Sequence, residues 1–107
     1  MPYIKEKDRK IIDPGLDKLV FALGKAMPKN LVFPPKELDG FMNYIICKLL
    51  NKFYNYEPSY FNYNRAIGIL ECAKQELYRR IIGKYEDLKA EENGDVFVKE
   101  ENHGLKK

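Results

Sequence analysis

The sequence predicts an all-α protein, a compact bundle of three main helices with short helical pieces near its termini. Apolar residues recur at spacings of three and four in three successive stretches, which is the pattern of one buried helix face. Prolines at positions 14, 28, 34, 35 and 58 separate these stretches. The 107 residues and the apolar content of 45% suit one small helical domain, which we place at residues 1–97, followed by a charged tail at 98–107.

The first helix is predicted over residues 14–26. Asp13 and Pro14 form a helix start, because aspartate caps free N–H groups and proline fits the first helical position. Pro28 ends this helix, and a short helical turn at 5–10 is expected to precede it. The linker at 28–35 is expected to be extended, with Phe33 folded back onto the core.

The second helix, over residues 36–55, has the most regular apolar pattern in the chain. Its apolar arc covers more than half of the helix circumference, so we expect burial on two sides. A chain of this size has little core of its own, which also favours self-association, most simply as a dimer. The apolar positions are Leu38, Phe41, Met42, Ile45, Ile46, Leu49, Leu50 and Phe53.

The third helix is predicted over residues 59–82, with Ser59 as its N-cap after Pro58. Gly83 is expected to loosen the last turn of this helix. Residues 84–95 then indicate one more short helix, closed by Asn93 and Gly94.

Lys74 is unusual because helical spacing places it within the apolar arc of the third helix. If that face is buried, the ammonium group needs a partner, and Glu71 or a carboxylate of residues 86–92 could supply one. A lysine whose head reaches water, or a structural ion pair, would explain the position equally well.

Two arginines, Arg79 and Arg80, end the same helix, where positive charge is favourable against the helix dipole. They could instead hold the acidic segment 86–92, or bind an anion together with Lys74 and Tyr78. The candidate site, for a partner or a small anionic ligand, therefore comprises five residues: Glu71, Lys74, Tyr78, Arg79 and Arg80.

Signatures of catalysis are scarce, so we expect no catalytic residues, metal or cofactor. His103 has no partner histidine, Cys47 and Cys72 are too few for a thiolate zinc site, and no glycine-rich phosphate loop is present. Glu71 and Glu76 are five apart, on different helix faces, which argues against a metal-dependent nucleotide hydrolase, although this function stays an alternative.

A nucleic-acid accessory protein is the other alternative. Its basis is the basic body of the chain, net charge +3, together with the aromatic segment at 53–63, for which core closure and an oligomer contact are the favoured interpretation. No apolar run is long enough to cross a membrane and no secretory signal is visible, so a cytoplasmic protein is expected.

The chain opens with MPYI, contains the run NRAIGILECAKQELYRR at 64–80, and has ENGDVF at 92–97. These strings resemble a small family of uncharacterised proteins frequent in tailed-phage and prophage genomes, in which a tyrosine is usual at the position of Phe97. The resemblance covers residues 1–97 and implies a helical fold and a phage or mobile-element origin, without assigning an activity. We therefore expect a non-enzymatic, self-associating binding or assembly protein.

Overall fold

The structure, a computed structural model, describes residues 2–29, 32–97 and 99. Its elements are α1 (Glu6–Ala26), α2 (Glu37–Tyr54), α3 (Tyr60–Leu77), a π turn (Tyr78–Ile82) and α4 (Gly83–Asn93). No strand occurs within these described ranges. The prediction of an all-α fold with three main helices is confirmed.

Helix α1 starts earlier than expected and runs straight through Pro14. The predicted start at Pro14 is therefore wrong, and the short turn expected before it is the first part of the same helix. Pro14 cannot donate to the carbonyl of Lys10, but both residues are exposed, so water can satisfy that carbonyl. Glu6 and Asp8 favour the earlier start, because acidic groups in a first turn complement the helix dipole.

Helix α2 follows its prediction closely, spanning Glu37–Tyr54 against the expected 36–55. Together with α1 it lines an open apolar groove of about 220 Å³. Leucine and alanine alternate on its α1 side, at Leu19, Ala22, Leu23 and Ala26, and its α2 side consists of the larger Phe41, Tyr44 and Ile45.

The turn between α2 and α3 is held by side chains on both sides. The Ser59 hydroxyl accepts a hydrogen bond from the backbone N–H of Asn62 at 3.3 Å, which confirms Ser59 as the N-cap. The Tyr63 hydroxyl donates to the Asn55 Oδ1 at 2.6 Å, and the Asn55 amide donates to Asn51 at 2.9 Å. The end of α2 is thereby linked to the first turn of α3.

Helical conformation continues without a break from Tyr60 to Asn93, because the π turn connects α3 directly to α4. Helix α4 ends where the sequence predicts. Gly94 has φ of 93°, in the region that glycine favours, and its N–H bonds the carbonyl of Ala90 at 2.8 Å.

Burial within the chain is slight. Among the described residues no aliphatic, aromatic or methionine side chain is buried, and only Pro35 reaches that class. Phe33 is 77% exposed, so the expectation that it folds onto a core is wrong, because the part of the chain that the structure describes has no buried apolar cluster to receive it. The two-sided burial expected for α2 is likewise not provided by its own chain, since Met42, Leu49 and Phe53 are exposed.

The chain divides into two units, Met1–Glu71 and Cys72–Lys107. The prediction of one domain over residues 1–97 stays a prediction. The predicted tail at 98–107 lies outside the described residues, apart from Lys99.

Candidate functional site

The π turn at Tyr78–Ile82 is the local irregularity around which the candidate site forms. The N–H of Gly83 bonds the carbonyl of Tyr78, five residues earlier, instead of a carbonyl four residues earlier. A Cβ atom at position 83 would lie 3.2 Å from that same carbonyl oxygen, which is closer than ordinary contact. Glycine therefore suits the wider turn, and single π turns inside helices occur frequently at functional sites.

Tyr78 and Glu86 are joined across this turn. The Tyr78 hydroxyl donates a hydrogen bond to the Glu86 Oε1 at 2.6 Å. This hydrogen bond, reinforced by the negative charge of Glu86, raises the pKa of Tyr78 above its ordinary value. Tyr78 is thus held as a neutral donor beside a carboxylate.

A groove of about 490 Å³ lies beside this pair, entirely within the unit Cys72–Lys107. Three carboxylates and one ammonium group line it, so its charged lining is acidic overall. The backbone turns at Gly94, and the N–H of Phe97 bonds the Asp95 carboxylate at 2.7 Å. The lining residues are Tyr78, Gly83, Glu86, Asp87, Lys89, Ala90, Gly94, Asp95, Val96 and Phe97.

The groove brings together only part of the predicted site. Tyr78 lines it, whereas Glu71, Lys74, Arg79 and Arg80 are not among its described lining residues. Its carboxylates would repel a small anion, so the groove itself suits a cationic or partly apolar group. The described lining of this groove thus includes Tyr78 but none of the three cations, and the predicted anion or partner site stays a prediction.

Lys74 and Glu71 lie on the exposed surface of α3. The condition that made Lys74 unusual, a buried apolar arc, is not met within this chain, because Ile67 and Leu70 on the same helix are exposed as well. An ammonium group in contact with water carries no large desolvation cost. Whether Lys74 binds a partner or a ligand stays a prediction.

Arg79 forms an ion pair with Glu76, one turn earlier on the same helix. The side chain of Glu76 is only 19% exposed, so this carboxylate is the more sheltered partner. Within the acidic segment 86–92, Glu86 is contacted by the hydroxyl of Tyr78. The sequence analysis did not predict this Tyr78–Glu86 pair, although a tyrosine, a glycine and a glutamate at positions 78, 83 and 86 could have indicated it.

Most aromatic side chains of the segment at 53–63 are exposed and Tyr54 is half-buried, so the described part of the chain does not provide the core closure favoured for this segment. The Arg65 guanidinium lies 5.4 Å from the Tyr54 ring centroid and 5.6 Å from that of Phe61. At these distances the Arg65 guanidinium makes cation–π contacts with both rings, and these contacts hold it over the turn.

No three His, Cys, Asp or Glu side chains within residues 2–29, 32–97 and 99 come together in a way that could hold a metal ion. None of the described helices is both long enough and apolar enough to span a bilayer.

The chain was compared with characterised proteins, solved structures and protein-family models. None of the characterised proteins and none of the solved structures matches it significantly. The model of one family, a domain of unknown function termed DUF6899, matches residues 1–96. This match includes all the helices and most of the groove lining, and the chain therefore belongs to the DUF6899 family.

Proposed function

We propose that this protein is a non-enzymatic, self-associating helical binding or assembly protein. The observation that carries the proposal is the exposure of large apolar side chains on every helix, with none buried among the described residues. Val20 of α1 is 66% exposed, Phe53 of α2 65% and Leu77 of α3 54%. A stable soluble fold normally removes such side chains from water.

A second copy of the chain is the occupant we propose for these faces. It is present wherever the protein is present, and a two-fold dimer covers the same face on both copies at once. The apolar groove between α1 and α2 is a suitable contact surface, because Ala22 and Ala26 leave room for larger side chains of a second copy. Burial of apolar surface gains about 25 cal/mol per Å².

The proposal also includes engagement of a partner or a small anionic ligand through Lys74, Arg79 and Arg80. The exposed positions of these side chains on one helical stretch support it. The neighbouring acidic groove favours a protein partner over a free anion, since an extended partner can present basic and acidic groups to both regions. Metal-dependent nucleotide hydrolysis and nucleic-acid binding remain less supported alternatives.

A phage or mobile-element origin completes the proposal, supported by the resemblance of the MPYI and ENGDVF strings to proteins of such genomes. We place the protein in the cytoplasm, where the free thiols of Cys47 and Cys72 would stay reduced.

Sedimentation equilibrium at micromolar concentrations tests the self-association. We expect a mass at or above twice 12.6 kDa for the parent chain. Tyr44→Glu, which places a charge in the α1–α2 groove, should shift the mass toward the monomer while circular dichroism still reports helix. The matched control is Tyr56→Glu, outside that groove, and it should leave the mass unchanged. A parent chain that sediments only at 12.6 kDa would overturn the proposal.

A further inference from the structure

The acidic groove of the unit Cys72–Lys107 lies along one face of α4. Gly83, Asp87 and Ala90 follow one another at spacings of four and three residues, which places them on that face, and all three line the groove. Because Gly83 and Ala90 have little or no side chain, they leave space on both sides of the Asp87 carboxylate. The volume of about 490 Å³ lies within the range of ligand-binding sites, about 300–1,000 Å³.

Apolar side chains from the segment after α4 also line this groove. The chain turns at Gly94, and Val96 and Phe97 follow within the lining. Val96 is 82% exposed and Phe97 93% exposed, so no described part of the chain covers them. Exposed apolar surface that is rimmed by polar groups is typical of contact sites for other molecules.

The carboxylates of the groove have no free positive group to offset them in the described lining. Lys89 carries the one ammonium group of that lining, and its Nζ pairs with the Glu92 carboxylate at 3.2 Å. Glu86 and Asp95 accept hydrogen bonds from a tyrosine hydroxyl and a backbone N–H, which are neutral donors. Within the described residues, Asp87 takes part in no ion pair.

The C-terminal end of α4 adds to this negative potential. Carbonyl groups at the end of a helix carry partial negative charge, which basic side chains in the last turn commonly offset. Helix α4 has no basic residue in its last turn, where Glu91 and Glu92 lie instead. A positive group supplied by another molecule would therefore be favourable at this end of the helix.

We propose that this groove binds a basic side chain, arginine or lysine, of a partner protein, with an adjacent apolar residue of that partner against Val96 and Phe97. Charge complementarity selects the basic group, and the apolar lining selects a peptide segment over a free inorganic cation. Aromatic rings in the lining, of Tyr78 and Phe97, are also suitable for cation–π contacts. The inference rests on the proposed engagement of a partner and deepens it, but it does not depend on self-association.

Fluorescence anisotropy with a short labelled peptide of alternating leucine and arginine tests this groove. The parent chain should bind that peptide, and it should not bind a peptide of alternating leucine and glutamate. Asp87→Asn should weaken binding about fivefold, the loss expected for one exposed charge pair. Phe97→Ala should weaken it as well, because the apolar contact is lost. Circular dichroism of both variants should match the parent, since both positions are exposed.

Matched controls remove the same groups elsewhere on the chain. Asp17→Asn on α1 and Phe61→Ala on α3 change exposed residues outside the described lining of the groove, so both variants should bind the peptide as the parent does. If Asp17→Asn weakened binding as much as Asp87→Asn, binding would follow net charge alone and the site would be overturned.

Other occupants of the groove would give different results. Argininamide that binds as tightly as the peptide would identify a small cation, and a lower sedimentation mass for Asp87→Asn would identify a second copy; either result overturns the partner segment. A parent chain that binds no peptide overturns this inference, while its sedimentation mass still tests the proposed self-association. A monomeric parent that binds the peptide through Asp87 would remove only self-association.

Discussion

The Tyr78 hydroxyl and the Glu86 carboxylate meet at 2.6 Å across a π turn, although eight residues separate them in the chain. In an uninterrupted α-helix, residues eight apart lie more than two turns apart and are rotated away from each other. The extra residue in the π turn rotates Glu86 back toward Tyr78 and shortens the distance along the axis. This pair is therefore a direct consequence of the local change in helix type.

Ultraviolet titration should detect this pair as a tyrosine with a raised pKa. The difference between the parent and Tyr78→Phe should titrate above pH 10, the ordinary value for tyrosine. Glu86→Gln should move that difference back toward the ordinary value, because the negative charge and the strong acceptor are gone. A difference titration that is unchanged by Glu86→Gln would contradict the pairing.

The sign of the pH dependence follows from the neutral hydroxyl acting as donor. The contribution of the pair to stability should be complete below the unfolded pKa of tyrosine. It should be lost as the pH rises through the raised folded pKa, where a tyrosinate would face the Glu86 carboxylate. Urea unfolding measured against pH should therefore show a loss of stability above pH 10 in the parent that Glu86→Gln lacks.

Alanine substitution at two helical glycines should separate helix propensity from the requirement of the π turn. Gly68→Ala should stabilise the chain by about 1 kcal/mol, because alanine favours helix and its Cβ meets no atom within 4 Å. Gly83→Ala should gain less or destabilise, since its Cβ would press on the Tyr78 carbonyl oxygen at 3.2 Å. Urea unfolding at equal protein concentration measures both, and equal gains would show that the π turn is not retained.

The hydrogen bond between Tyr63 and Asn55 should contribute to holding the turn between α2 and α3. Tyr63→Phe should cost about 0.5 kcal/mol, at the lower end for hydrogen bonds because the pair is exposed. Tyr60→Phe is the control, since Tyr60 is 88% exposed. A double-mutant cycle with Asn55→Ala isolates the pair, and zero coupling energy would show that the hydrogen bond does not stabilise the turn.

Much of the helical architecture follows from the sequence alone, because helix signals are local. Apolar residues at spacings of three and four locate α2 to within one residue at each end. Ser59 and Gly94 mark a start and an end through backbone chemistry that depends only on near neighbours. Pro14 shows the limit of such signals, because the same residue suits a first turn and is tolerated within an exposed helix.

The tertiary structure decided which predicted faces are covered and which site residues meet. Periodicity identifies an apolar face but contains no information on what covers it, so the burial expected around Lys74 and Phe33 could not be tested by spacing. The π turn includes a backbone hydrogen bond from the Gly83 N–H to the Tyr78 carbonyl, which the ordinary helical period does not contain. The π turn aligns Tyr78 with Glu86, whereas Arg79 pairs within its own helix with Glu76.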